Sequence, residues 1–134
     1  MNREKLISAV QQCCGLSGYN FRALGAHYIP AQAPKMAAAL LEEPQFLRIE
    51  GRNHGRITYS LRLHLLDKGM HNPPEQQSQQ LSKIESDMLG IMSQLSQCDD
   101  IALISELTIT PTVHTLLGRG EVGVTATAEV EVIF

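Results

Sequence analysis

Residues 121–134 read EVGVTATAEVEVIF, the most regular stretch in the chain. Val122, Val124, Ala126, Ala128, Val130, Val132 and Phe134 share one parity; Gly123, Thr125, Thr127, Glu129, Glu131 and Ile133 share the other. Successive side chains of an extended chain point to opposite faces, so this pattern predicts a strand with one face buried and one wet. Unbroken, it would reach roughly 45 Å at about 3.3 Å per residue, long for a small domain. Part of it is therefore free to pair outside its own domain.

The preceding apolar segment, 101–110, carries Ile101, Leu103, Leu107 and Ile109 and predicts a strand that forms a hairpin with it. Between residues 74 and 97 the period changes. Leu81, Ile84, Met88, Ile91 and Leu95 step by three and four, the seam of a helix laid across a sheet. Asn72 is placed to cap that helix, with Pro73 and Pro74 at its start and Glu75 three residues after the cap. Its first polar turns, EQQSQQ, extend past the core. Asp99 and Asp100 oppose the helix dipole and belong to the loop beyond it.

Residues 57–65 alternate again, with Ile57, Tyr59, Leu61, Leu63 and Leu65 against Thr58, Ser60, Arg62 and His64. Residues 45–50, QFLRIE, predict its hairpin partner, although the adjacent Phe46 and Leu47 leave the inward face of that strand undecided. Gly51 to Gly55 supply the turn. Residues 3–14 form a first helix striped by Leu6, Ile7, Val10, Cys13 and Cys14, capped by Asn2 and stopped at Gly15. The stretch from Gly15 to Pro34 reads as an ordered loop holding a short strand. Pro34 is expected to open a small helix through Met36, Leu40 and Leu41, which Pro44 ends. Strand hairpins separated by one long helix define an α+β fold. The expectation is one domain, 1–134, whose antiparallel or mixed sheet is covered on one face by the long helix, with an N-terminal helix.

The composition excludes several classes of function. The chain has 134 residues, 43% hydrophobic and 19% charged, enough for a real core. A formal net charge of -3 argues against direct nucleic-acid binding, which needs a basic field. No apolar run is long enough for a membrane span, and MNREKLISAV lacks the core of an export signal. The three cysteines, Cys13, Cys14 and Cys98, are an odd set with one adjacent pair, which makes a disulfide framework improbable; they read as reduced, partly buried thiols.

No motif carries chemistry. Gly118-x-Gly120-x-x-Gly123 matches a dinucleotide fingerprint in letters, but a strand follows where a helix is required, so these glycines mark a hairpin tip. His27, His54, His64, His71 and His114 include no pair at metalloprotease spacing, and no Cys-x-x-Cys accompanies them. His54 and His64 could meet across a hairpin near Asp67, the weak case for a metal site; an enzyme using His64 with Asp67 is the corresponding catalytic reading. Glu42-Glu43 and Asp99-Asp100 point apart in extended chain and read as solvated. The expectation is no catalytic residue, no metal and no cofactor. Arg52, Arg56, Arg62 and His64 make the first hairpin locally basic. With His54 and Arg119, the arginines are the candidate contacts for an acidic partner.

In size, in its N-terminal helix followed by a proline-containing linker, and in the block RITYSLRLHLLDKG ahead of a long helix and two final strands, the chain resembles tail-terminator (tail-completion) and neck proteins of tailed bacteriophages. PKMAAALLEE departs from that pattern. The resemblance implies a structural, non-enzymatic subunit. It implies a ring, commonly of six copies, that ends tail-tube growth and meets the head connector, in the host cytoplasm and then the virion. The alternative is a small bacterial ligand- or protein-binding module of ferredoxin-like type, with its groove between the long helix and the strands.

Overall fold

The computed structural model describes residues 2–25, 35–52, 54–69, 74–112 and 121–134. Among them are α1 (Asn2–Leu16), β1 (Asn20–Gly25), β2 (Ala38–Glu42), β3 (Gln45–Gly51), β4 (Gly55–Lys68), α2 (Pro74–Ser96), β5 (Ile101–Pro111) and β6 (Glu121–Ile133). The fold is α+β. One six-stranded sheet runs β1-β2-β4-β6-β5, with β3 also on β4; only the β1–β2 pairing is parallel.

The two long alternating segments form the spine. β4 and β6 pair without a break from Arg56–Ile133 to Lys68–Glu121. Ile57, Tyr59, Leu61, Leu63 and Leu65 therefore stand beside Val132, Val130, Ala128, Ala126 and Val124, and all ten are buried. Both helices pack on this face, through Leu6, Val10, Cys13 and Cys14 of α1 and Ile84, Met88, Ile91, Met92 and Leu95 of α2. The alternation of each strand thus becomes one apolar layer under two amphipathic helices.

Three expectations need correction. The segment predicted as a small helix after Pro34 is strand β2. Ala38, Ala39, Leu40 and Leu41 are all buried, with Ala39 and Leu41 in the helix-side core and Ala38 and Leu40 in a second cluster with Leu24 and Leu66. A strand buried on both faces shows no period, and its alanines and leucines also favour helix, so composition pointed the wrong way. The part of β6 expected to pair outside its own domain pairs within it, with β4 along its whole length and with β5 on its other side, while the short strand expected after α1 is β1, paired along β2. Finally, α1 passes Gly15 and ends at Leu16; its closing turn uses Gly18 at φ +86°, with the Tyr19 amide donating to the Cys14 carbonyl at 3.0 Å.

The long helix starts at Pro74 and ends at Ser96, close to expectation; its proposed cap at Asn72 and Pro73 lies outside the described residues, as do Gly118, Gly120, His27, His71 and His114. No helix among the described residues is long and apolar enough to cross a membrane. Among them, no buried side-chain nitrogen or oxygen lacks a hydrogen-bond partner.

β2 and β3 run in the same direction along one side of β4, as two halves of an interrupted strand. Leu41 pairs with Leu63 and Gln45 with Ser60, so Glu42, Glu43 and Pro44 face only Leu61 and Arg62. Three residues against two is a bulge, and Pro44 has no amide to continue the ladder. α1 clamps this break. The Arg3 guanidinium pairs with Glu43 at 2.7 Å, donates to the Pro44 carbonyl and lies over the Tyr59 ring, 5.5 Å from its centroid.

Candidate interaction surface

The bulge turns Glu42 and Glu43 apart. Glu43 goes to the helix side and Arg3, whereas Glu42 joins the outer face of the sheet. There its Oε2 lies 2.6 Å from His64 Nε2 and 3.4 Å from Arg62 Nε. His64 Nδ1 is 2.8 Å from the Thr125 hydroxyl, which is 3.2 Å from that of Thr112. An ionised Glu42 only accepts, so Nε2 carries a hydrogen. With a neutral imidazole, Thr112 donates to Thr125 and Thr125 to Nδ1; with an imidazolium, Nδ1 donates to Thr125, and either threonine hydroxyl can donate to the other. Either state leaves each group partnered. His64 is only 5% exposed, and the chain of bonds ties β2, β4 and β6 to the end of β5 on the face opposite α1 and α2.

This geometry corrects two readings of His64. Residues 64 and 67 have opposite parity, and Asp67 faces the helix side, where its charge acts on Tyr19. His54 sits at the exposed tip of the β3–β4 hairpin, at the far end of β4 from His64. The imidazole instead meets Glu42, which had been read as a solvated loop carboxylate. A carboxylate–imidazole–hydroxyl chain can relay a proton; here its hydroxyls belong to Thr125 of β6 and Thr112 just past β5, and its exposed end is the Glu42–Arg62 pair. Among the described residues, no three His, Cys, Asp or Glu side chains converge to hold a metal ion.

The basic residues of the first hairpin are not one uncompensated patch. Arg56 pairs with Glu131 at 3.3 Å, and Arg48, which the sequence reading did not single out, pairs with Glu129 at 3.1 Å. Thr58 lies between Arg48 on β3 and Glu131 on β6, and is buried although it faces outward. Arg62 is shared with Glu42. Arg52 and His54 are exposed at the hairpin tip, and Arg119 lies outside the described residues. The outer face is thus a ladder of cross-strand ion pairs, each worth little alone at such exposure.

The feature that sequence reasoning missed is the edge strand β3, which among the described residues pairs with β4 alone. Every residue of β3 is exposed, including Phe46 at 51%, Leu47 at 44% and Ile49 at 54%. Phe46 meets the core residue Tyr59 edge-on, with ring centroids 6.1 Å apart. The signal was present in QFLRIE, where neither parity is wholly apolar. It predicts a strand that buries neither face, and such a strand belongs at an edge. The opposite edge at the same level is the start of β5, because Ile57, Val132 and Ile101 lie in one row across β4, β6 and β5. β5 carries register irregularities between Ile101 and Leu103 and between Ser105 and Thr108, with Glu106 at φ +53°, and it exposes Leu103 and Leu107.

No known protein family matches the chain, and a comparison with curated protein sequences finds no match.

Proposed function

We propose that the protein is a structural assembly subunit that associates with copies of itself through the β3 edge. It builds a ring of the kind formed by tail-terminator and neck proteins at the head–tail junction of a bacteriophage. The observation that carries this reading is a seven-residue edge strand, exposed throughout, with three large apolar side chains. Soluble proteins ordinarily guard such edges, since unpaired backbone groups beside apolar side chains recruit another strand.

Strand directions favour a head-to-tail contact. β3 and β6 run one way and β4 and β5 the other. A neighbour placed in the same orientation therefore lays its β3 antiparallel to the start of β5. The two edges differ, so the contact is heterologous, the type that closes into rings. Because both edges lie at one level of the sheet, little axial rise accompanies each step. Tail tube and head connector are the further partners in this reading, and the sites of action are the host cytoplasm and the virion.

The test has two arms, because ring formation can require the tube as a template. The purified protein at high concentration, and its mixture with a phage tail-tube protein, are examined by light scattering and electron microscopy. Rings are expected in at least one arm, and Phe46→Lys combined with Ile49→Lys is expected to abolish them while leaving a folded monomer. A monomer in both arms, without rings or tube association, overturns the proposal. A ligand-binding module is the second reading; it draws on the outer-face groove lined by Glu42, Ser60, Arg62, His64 and Thr127. Neighbouring genes for portal, capsid and tape-measure proteins favour the first.

A further inference from the structure

Four rows of residues cross the sheet from β3 through β4 and β6 to β5. They are Ile49–Ile57–Val132–Ile101, Arg48–Thr58–Glu131–Leu103, Phe46–Tyr59–Val130–Ile104 and Gln45–Ser60–Glu129–Ser105. Each outer strand carries one extra residue within these rows, Leu47 in β3 and Ala102 in β5. Gln45 to Ile49 and Ile101 to Ser105 therefore span the same rows with the same number of residues. Against the regular β4–β6 spine each extra residue is an irregularity; against each other the two cancel.

We infer that β3 of one copy pairs with the start of β5 of the next in a single register, residue for residue, from Gln45 beside Ser105 to Ile49 beside Ile101. The inference rests on the assembly reading above and names the residues that meet. Phe46 comes beside Ile104, Leu47 beside Leu103 and Ile49 beside Ile101. Phe46, Leu47, Ile49 and Leu103 are exposed, whereas Ile101 and Ile104 already pack on the helix-side core. Phe46 and Ile49 share their rows with Tyr59 and Ile57, which belong to that same core, so the apolar layer of one copy continues into the next. A slip of one residue would set these side chains against the outer face of the neighbour instead.

Charge agrees with this register. Beyond Ile49, the β3–β4 turn comes level with the turn that precedes β5, where Glu4, Asp99 and Asp100 line a groove whose one cation is Lys5. Arg52 is exposed in the β3–β4 turn and forms no ion pair among the described residues. It is the neighbour's cation for these carboxylates. Glu50 also arrives beside Asp100, with Arg56 in its own row.

The experiment introduces Leu47→Cys with Leu103→Cys in a Cys98→Ser background and oxidises the protein with copper phenanthroline in whichever arm gives rings. Within one chain β4 and β6 separate the two cysteines by about 14 Å, at about 4.8 Å per strand, so any bridge joins two chains. Directly opposed residues lie about 5 Å apart at Cα, within disulfide reach, and diagonal ones at about 7–8 Å do not. Chains linked 47–103 are expected, with about tenfold less bridging from Leu47→Cys with Ser105→Cys, two residues out of register. Arg52→Glu is expected to raise the concentration needed for assembly about fivefold, and adding Asp99→Lys and Asp100→Lys to restore it. Should the cysteine variants fail to assemble, this charge reversal decides the register. Rings that bridge 47–105 as readily as 47–103 overturn the register and leave ring assembly standing. So does an Arg52→Glu variant that assembles as wild type does, or that the reversal leaves defective. Wild type without rings in either arm removes the assembly reading and the register with it.

Discussion

Replacing Ala126 with aspartate is expected to unfold the protein, whereas the same charge one residue later, at Thr127, leaves it folded. Ala126 is 0% exposed in β6, opposite Leu63 in β4 and beneath the helices. A carboxylate there has no cation to meet. Burying it costs several kcal/mol, and protonating it to avoid that cost still leaves an oversized polar group in a packed layer. Against a total stability of roughly 5–15 kcal/mol for a domain of ordinary stability, that is enough to abolish folding. Thr127 is partly exposed on the other face, directly opposite Arg62, so an aspartate there gains an oppositely charged neighbour across the strands. Circular dichroism and urea titration of the two variants check the prediction. Equal damage from both substitutions would mean that the sheet is covered on both faces along β6.

The second large effect concerns alkaline pH. Burial raises Cys13 from 9.0 to about 11, with Cys98 adding to the shift, and raises Cys14 from 9.0 to about 12, with Cys13 adding to it. Burial, followed by the hydrogen bond and charge of Asp87, also lifts the Tyr19 hydroxyl well above its usual range; that bond is 2.7 Å long. All three groups are neutral when protonated. Above pH 9 the unfolded chain releases these protons while the folded chain keeps them, so the unfolded state binds fewer protons and stability falls as pH rises. The contribution is fully present below the unfolded values and is lost as pH climbs through the folded ones. Each unit of displacement corresponds to about 1.4 kcal/mol, so several kcal/mol should disappear between pH 9 and 12. The midpoint of urea unfolding, measured across that window, should drop steeply. Cys14→Ala should flatten the drop, because it removes the most displaced thiol. A midpoint that stays level to pH 12 would contradict the burial of these groups.

β4 and β6 were legible in the sequence because each buries only one face, so burial wrote a period of two into the residues. β2 was not legible, for the converse reason: Ala38 to Leu41 are apolar on both parities, which erases the period and leaves a composition that favours helix. α2 was legible from its three- and four-residue steps. The outer face was legible only in part. The arginines of the first hairpin stood out locally, but their partners, Glu129 and Glu131, lie on a strand more than seventy residues further along the chain. Only the β4–β6 register brings them together. Glu42 was misread because its role depends on the bulge at Pro44, which aims it at His64. The exposure of β3 follows from topology, since the ordering of strands decides which one is left at an edge.

Hydrogen exchange, followed residue by residue in dispersed and assembled protein, tests the central claim most directly: a sheet covered on one face by helices, with β3 left open for another copy. The amides of β6, inside the sheet and under α1 and α2, should be strongly protected in both states. Those of β3 should exchange quickly in the monomer and slow markedly on assembly. Fast exchange along β6, or β3 amides that assembly leaves unchanged, would contradict the account.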